Sequence, residues 1–204
     1  TTQEVFISMF ADDNKRIVIE LADERLFTGK VTVGSGNLTN VQFLLYNQTN
    51  DQFLSATTDD FGNFSEYLPA GDWLVIISPQ VVENTTYTLR HPVTISDDST
   101  SRTGMNLALL EAVRVNFTLA EALTGEYVTN ARVIAVSNDG FGNVTLSASD
   151  DDGNVSDQIM PGSWTLSLEK ETDDKIWTIN DDTYTFDAIG DTDVELGIVE
   201  ADLQ

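Results

Sequence analysis

Short runs of apolar residues, separated by turn-forming residues, fill the whole chain. Residues 16–21 show the pattern clearly, because Ile17, Ile19 and Leu21 fall on one face of a chain with period two. No long run with a period of 3.6 residues occurs, and the longest apolar runs have the length of a strand, far below the ~20 residues of a membrane helix. The pattern predicts an all-β protein built from short antiparallel strands, with no membrane insertion in this segment.

Residues 57–78 carry two turn signals between predicted strands, in the sequence TTDDFGNFSEYLPAGDWLVIIS. The first, at residues 59–63, combines Asp, Gly and Asn and predicts a hairpin turn. The second, at residues 69–71, precedes a β-rich run that begins with Trp. The pattern returns at residues 149–168, so we predict two repeats whose tryptophans are both buried. The alignment pairs Gly62 with Gly153, Asn63 with Asn154, Pro69 with Pro161 and Trp73 with Trp164, and one residue is lost between the last two pairs.

A third pattern, two strands joined by an acidic turn, occurs three times, at residues 4–21, 87–110 and 183–199. We interpret each copy as a closing hairpin, that is, a β-hairpin that forms the end of a repeat. Three hairpins against two central turns leave the first hairpin without a domain of its own. It is either the end of a preceding repeat in a tandem array or an element that completes a neighbouring subunit by strand addition.

The predicted organisation is therefore an N-terminal β-hairpin followed by two tandem sandwiches. The bounds are 1–24 for the hairpin, 25–111 for the first repeat and 112–204 for the second. The junction at residues 110–113 has no Pro, Gly or Ser run, so we expect a stiff rod rather than flexibly linked domains.

The net charge is −24, with 34 acidic and 10 basic residues. No basic patch is available for phosphate contacts, so nucleic acid is excluded as a partner. The chain has no Cys and a single His, His91, which excludes disulfides, thiolate metal sites and a recurring Ser-His-Asp arrangement. We expect no enzyme activity. The acidity itself fits a solvated surface, a saline habitat or surface sites for Ca²⁺.

Pairs of acidic residues recur in the predicted turns, and Ca²⁺ takes six to eight oxygen ligands that such residues supply. The sequence predicts no cofactor, with calcium as the one alternative. The best candidate region, residues 150–157, lacks the twelve-residue loop and closing Glu of an EF-hand. In addition, Asp is common in turns without any metal. The best candidate ligands are Asp150, Asp152, Asn154 and Asp157.

N-glycosylation sequons are more frequent than composition explains: seven occur, where about three would arise by chance. They predict N-linked glycans on an extracellular surface, in a eukaryote or an archaeon. Together with the acidity they favour an archaeal cell-surface protein. The acceptor residues are Asn37, Asn47, Asn63, Asn84, Asn116, Asn143 and Asn154.

The order Gly62-Asn63-Phe64, Pro69-Ala70-Gly71 and Trp73 resembles the pattern G-x-F…L-P-x-G-x-aromatic of carboxypeptidase-regulatory-like and Cna-B-like domains. The resemblance covers about residues 25–204, is specific for fold only, and implies Ig-like or transthyretin-like sandwiches. Such domains occur as stalks, surface-layer modules and pilin domains, and as accessory domains of secreted enzymes.

Some Cna-B-like domains contain a Lys–Asn isopeptide bond promoted by a buried Glu. The resemblance places Lys30 and Asn106 on matching first and last strands. However, Ile76, Ile77 and Leu168 stand where that Glu would be. Without this acid the chemistry lacks its proton donor, so we expect no such bond.

These observations predict a non-enzymatic structural subunit or segment of a surface layer, stalk or filament. Its expected partners are copies of itself or neighbouring domains, contacted through residues 1–24. The alternative is an adhesin or a carbohydrate-binding accessory module of a secreted protein. Exposed aromatic residues aligned on one sheet face would favour the alternative, because sugars stack on aromatic rings.

Overall fold

A computed structural model describes residues 24–96, 101–172, 175–179, 184–190 and 193–203. All regular secondary structure in these residues consists of β-strands, which confirms the all-β class. The hairpin predicted at residues 4–21 lies outside them. The first sandwich contains β1 (Glu24–Val33), β2 (Gly36–Asn37), β3 (Gln42–Asn47), β4 (Gln52–Thr57), β5 (Asn63–Pro69), β6 (Gly71–Val82), β7 (Thr85–Ile95), β8 (Arg102–Ala108) and β9 (Leu110–Glu111). The second contains β10 (Val113–Glu121), β11 (Val133–Ser137), β12 (Asn143–Thr145), β13 (Asn154–Ile159), β14 (Gly162–Thr172), β15 (Lys175–Thr178), β16 (Thr185–Ala188) and β17 (Val194–Leu203).

The first sandwich packs a small sheet on a larger one. In the small sheet, β1 pairs with β5 and β2 and, on its other side, with β8. The larger sheet has the order β4-β3-β6-β7-β9. The β1–β8 pairing is parallel, with Lys30 opposite Asn106, so the predicted antiparallel architecture has one parallel pair where the last long strand meets the first.

The second sandwich repeats this plan with one addition. Strands β13, β10 and β17 form one sheet, with β17 parallel to β10, and β12, β11, β14 and β16 form the other. Strand β15 pairs with both β14 and β17 and so joins the two sheets along one side.

The predicted hairpin turns are corners between sheets instead. Strand β4 lies in the large sheet and β5 in the small one, and the chain returns to the large sheet at β6. The closing hairpins were also predicted wrongly, because β7 and β8 lie in opposite sheets, as do β16 and β17. The turn residues specify a tight reversal of the chain, but they do not specify which sheet takes the next strand.

We call residues 59–63 of the first repeat and 150–154 of the second the acidic corner. It has the same hydrogen bonds in both repeats. Asp59 Oδ1 accepts from the N–H groups of Phe61 and Asn63, both at 2.8 Å. Asp150 Oδ1 accepts from the N–H groups of Asp152, at 3.0 Å, and Asn154, at 2.7 Å. The glycine before each Asn has a positive φ, 77° and 74°, a conformation that favours Gly over other residues.

The structure corrects the alignment of the second corner. Trp73 Nε1 donates to the carbonyl of Pro69 at 3.0 Å, and Trp164 Nε1 donates to that of Met160 at 3.0 Å. In each repeat the acceptor lies four residues before the Trp. Met160 is therefore the counterpart of Pro69, and Pro161 occupies the place of Ala70. No residue is lost between the repeats here; the proline has moved by one position.

The two tryptophans lie in the cores, as the sequence predicted. Trp73 is 1% exposed and Trp164 is 0% exposed. In the first repeat, Phe64 also packs against two rings, with centroid distances of 5.0 Å to Phe27 and 5.3 Å to Phe43. Large aromatic side chains contribute much of the buried apolar area of a small sandwich.

A buried hydroxyl bridges two strand ends in each repeat. Thr58 Oγ1 accepts from Val41 N–H at 2.9 Å and donates to the Leu38 carbonyl at 2.8 Å. Ser149 Oγ makes the matching pair of bonds, to Ala131 N–H at 2.9 Å and to the Val128 carbonyl at 2.7 Å. The hydroxyl thus satisfies backbone groups that would otherwise be buried without a partner.

We expect Trp73→Ala and Trp164→Ala each to lower the free energy of unfolding by about 3–5 kcal/mol, because each opens a large cavity in a closed core. Urea unfolding followed by circular dichroism measures this. Phe61→Ala is the control, since Phe61 is 73% exposed; its effect should stay within about 0.5 kcal/mol. A loss below about 1 kcal/mol for either tryptophan would contradict the core assignment.

Candidate functional site

The two repeats follow each other with one residue between their strands. Strand β9 ends at Glu111 while still paired with β7, and β10 begins at Val113. Ala112, the intervening residue, donates its N–H to the Thr86 carbonyl at 2.8 Å. The chain therefore leaves the first sandwich fully hydrogen-bonded and enters the second at once.

A loop of the second repeat lies on the outer face of the first. Within β6, Trp73 and Val75 point into the core, so Leu74 points outward, yet it is 1% exposed. The reason is the loop between β11 and β12: a Cβ built on Gly142 would lie 2.9 Å from Leu74 Cδ2. The second repeat thus covers an apolar side chain that the first repeat leaves outside its own core.

Arg90 also binds the loop between β11 and β12. Its Nε donates to the Phe141 carbonyl at 2.7 Å, and its backbone N–H points at Met160 Sδ at 3.2 Å. Burial lowers the pKa of the Arg90 guanidinium below its ordinary value. A short N–H···O hydrogen bond is directional, so it ties the orientation of the guanidinium to that of the loop.

The second repeat does not offer the same surface. The positions that correspond to Leu74 and Ile76 are Thr165 and Ser167, as the register of the two tryptophans shows. Thr165 bonds through its hydroxyl to Thr185 at 3.0 Å. The outward-facing apolar side chains at these positions therefore belong to the first repeat, and their contact with the β11–β12 loop is specific to the junction between these two sandwiches.

The structure places the predicted calcium ligands in two groups. Asp150, Asp152 and Asn154 share the acidic corner, where the Asp150 carboxylate already accepts two backbone N–H groups. Asp157 lies on β13, and its Oδ2 accepts from Ser147 N–H at 2.7 Å and Ser147 Oγ at 3.0 Å. Over the described residues, no three His, Asp or Glu side chains are grouped to hold a metal ion. Calcium binding at these four residues stays a prediction.

The seven sequon asparagines differ in accessibility. Asn37, Asn84, Asn143 and Asn154 are exposed, and Asn63 and Asn116 are half-buried. Asn47 is 1% exposed, and its Oδ1 accepts from the N–H of Thr49, the last residue of its own sequon, at 2.9 Å. An enzyme acting on the folded chain would not reach this amide. Glycosylation at all seven stays a prediction, with Asn47 the least accessible.

The residues implied by the isopeptide resemblance are neighbours. Lys30 and Asn106 are register partners on the adjacent parallel strands β1 and β8. Both are exposed, and Asn106 Oδ1 accepts from Thr32 Oγ1 at 3.1 Å. The prediction that no such bond forms stays a prediction.

An aromatic pair that the sequence analysis missed lies on the outer face of the large sheet. The Tyr46 and Phe53 rings stack with centroids 4.5 Å apart and an interplanar angle of 21°. Tyr46 Oη donates to Asp51 Oδ1 at 2.8 Å, and this hydrogen bond raises the pKa of Tyr46. Phe53 is 57% exposed. The hairpin register of β3 and β4, which makes the two residues partners, was the available signal.

No protein-family model matches the chain, and no curated protein matches it. Several solved structures align with it. A streptococcal ancillary pilin is 15% identical, with 89% of this chain and 62% of that chain covered and a TM-score of 0.40. GBS52, the minor pilin of Streptococcus agalactiae, is 10% identical, with coverages of 87% and 95% and a TM-score of 0.39. The Bacillus anthracis TIE protein is 16% identical, with a TM-score of 0.37.

The alignment with the Bacillus anthracis protein covers 88% of this chain but 34% of the other, so this chain spans about a third of that protein's length. All three TM-scores lie below 0.5. In the described residues no helix is long and apolar enough to cross a membrane.

We expect Gly142→Ala to change the angle between the repeats, because the added methyl group would meet Leu74. Gly140→Ala is a matched control: it lies in the same loop, also has a positive φ (82° against 71°), and has no atom within 4 Å of the added Cβ. Both variants bear about 1–2 kcal/mol of left-handed backbone strain. Residual dipolar couplings should show a changed orientation in Gly142→Ala alone; the same orientation in both variants would contradict the described contact.

We expect the acidic corners to weaken in acid. The hydrogen bond from Asn63 N–H lowers the pKa of Asp59, and that from Asn154 N–H lowers the pKa of Asp150. A folded-state pKa below the unfolded value of about 3.9 gives stabilisation that is present above that value and lost as pH falls through the folded pKa. Carbon-detected NMR titration of the two carboxyl groups measures this. A midpoint at or above the ordinary value for both would contradict the geometry.

Proposed function

We propose that this chain is a non-enzymatic structural segment of an extracellular assembly, such as a surface layer, stalk or filament. The observation that carries the proposal is the junction between the repeats, where Leu74 of one sandwich is buried by a loop of the next. Two sandwiches joined without a free linker keep their orientation, as a spacer or stalk requires. A hinged pair of binding modules would not need this contact.

We propose that residues 1–24 join successive units. The sequence pattern of residues 4–21 matches the patterns at residues 87–110 and 183–199. In each of those two copies, the two strands lie in different sheets, and the second strand, β8 or β17, pairs in parallel with the first strand of its sandwich. By this likeness, residues 16–21 supply the last strand of a sandwich whose first strand belongs to a preceding domain or to another copy of the chain. A head-to-tail contact of this kind does not close on itself and propagates as a filament or lattice.

The proposed setting is the outside of an archaeal cell, with N-linked glycans on the surface. The net charge of −24 keeps such a surface solvated and limits non-specific association. Four of the seven sequon asparagines are exposed, three of them on edge strands and the fourth, Asn84, in the turn between β6 and β7.

The alternative function, an adhesin or carbohydrate-binding module, is favoured by a different observation. Tyr46, which is half-buried, and Phe53, which is exposed, stack on one sheet face, and exposed aromatic residues on a sheet face favour that alternative. The two functions differ in their need for residues 1–24: assembly depends on this segment, whereas ligand binding by the aromatic pair does not.

Deleting residues 1–24 tests the assembly proposal. Both repeats should keep their circular dichroism spectrum and tryptophan fluorescence, while negative-stain electron microscopy and light scattering show no filament or lattice. Ile19→Asp should have the same effect, because it places a charge on the apolar face of the predicted strand. Glu20→Gln, on the opposite face, is the control and should assemble normally. A deletion variant that still assembles rejects the proposal and favours the binding module.

We expect at least two of five asparagines to carry glycans in protein from its own organism: Asn37, Asn47, Asn84, Asn116 and Asn143. Asn47 should be modified least, since its amide is buried. Glycopeptide mass spectrometry of native material measures the occupancy of each. Finding all five unmodified would remove glycosylation from the proposal without affecting the assembly test.

A further inference from the structure

A cleft of about 530 Å³ lies where the β11–β12 loop of the second repeat meets the outer face of the first. The stacked pair Tyr46 and Phe53 lines one side of it, with Gln48 nearby. Arg90 and Asn143 line the side towards the second repeat. We propose that this cleft binds a pyranose sugar ring, and that the ring belongs to an N-linked glycan on Asn143. For the source of the sugar, this inference rests on the glycosylation proposed above.

The aromatic pair supplies the apolar half of such a site. Tyr46 is held in place by its hydrogen bond to Asp51, and Phe53 stacks on it. Phe53 remains 57% exposed, and Leu44 on the same sheet face is 41% exposed. Leu74 and Ile76 extend this apolar lining. A rigid ring stack in a concave site that also carries polar groups suits a ligand with one apolar face and many hydroxyl groups.

The polar half comes from groups that both donate and accept. The side-chain amide of Gln48 offers a carbonyl oxygen and an NH₂ group, as does that of Asn143 when unmodified. Arg90 uses its Nε for the Phe141 carbonyl, so its two terminal nitrogens are left to serve the cleft. Sugar hydroxyl groups donate and accept hydrogen bonds, so they can pair with these donors and acceptors. A purely apolar segment would leave the amides and the guanidinium without partners.

Asn143 is well placed to deliver the sugar. It begins the sequon Asn143-Val144-Thr145 on β12, the outermost strand of its sheet. Both Asn143 and Thr145 are exposed, so a glycosylating enzyme would reach them in the folded chain. Because Asn143 itself lines the cleft, the first sugars of its glycan start beside the ring stack. A glycan packed there would bridge the two repeats and restrict their relative motion.

The proposal has a direct test by NMR. The protein is made in an N-glycosylating host with a ¹³C-labelled glycan, and occupancy of Asn143 is checked by mass spectrometry. Sugar protons should show nuclear Overhauser effects to the rings of Tyr46 and Phe53, and ring-current shifts to high field. Both signals should be lost in Phe53→Ala. They should persist in Phe61→Ala, which removes another exposed phenylalanine, 73% exposed, from the acidic corner of the first repeat.

A second arm separates the two sources of sugar. Unglycosylated Asn143→Gln protein is titrated with N,N′-diacetylchitobiose and with methyl α-mannoside, and chemical shifts of Tyr46 and Phe53 are followed. Contacts from an occupied Asn143 glycan support the whole proposal. Shifts caused by free sugar without glycan contacts keep the saccharide site and reject Asn143 as its source. An occupied Asn143 without ring contacts, together with no response to free sugar, overturns the proposal and leaves the assembly function unaffected.

Discussion

The parallel pairing of the first and last long strands is the constraint on which each sandwich depends. Strand β8 lies beside β1, and β17 lies beside β10, so the end of each repeat is held against its beginning. Immediately after β8 the chain crosses to the opposite sheet and adds β9 to β7. Both sheets are therefore complete before the next repeat starts. The close junction follows from this order of pairing, because the chain has no unpaired residues left to act as a linker.

Much of the fold could be predicted from local sequence. The strand pattern, the repeat and the burial of Trp73 and Trp164 all follow from turn chemistry and alternation. The hairpins were wrong because Asp, Gly and Asn shape a turn through bonds within five residues, as at Asp59, whereas the choice of sheet depends on partners far along the chain. The proline alignment was wrong for a related reason: the hydrogen bond of the Trp indole fixes the register, and the position of the proline does not.

The candidate site was harder to predict, although one signal was present. In the first repeat the residues from Trp73 are Trp-Leu-Val-Ile-Ile, five apolar residues in succession. In the second the residues from Trp164 are Trp-Thr-Leu-Ser-Leu, a strict alternation. A strand that is apolar on both faces is buried on both faces, while an alternating strand has one face in water. This difference indicates a partner over Leu74. The identity of that partner, a loop about seventy residues further on, depends on the tertiary arrangement alone.

The direction of β1 relative to β8 has a mechanical consequence. Once the two-residue strand β9 is pulled away from β7, a tension applied along the chain pulls β1 by its first residue and β8 by its last. In two adjacent parallel strands these points lie at opposite ends of the pair, so the strands would have to slide past each other along their length. The backbone hydrogen bonds between them then resist together instead of opening one after another like a zip. The same geometry occurs at β10 and β17. Each sandwich is thus arranged to withstand pulling at its two ends, the stress that a tethered protein experiences in moving fluid.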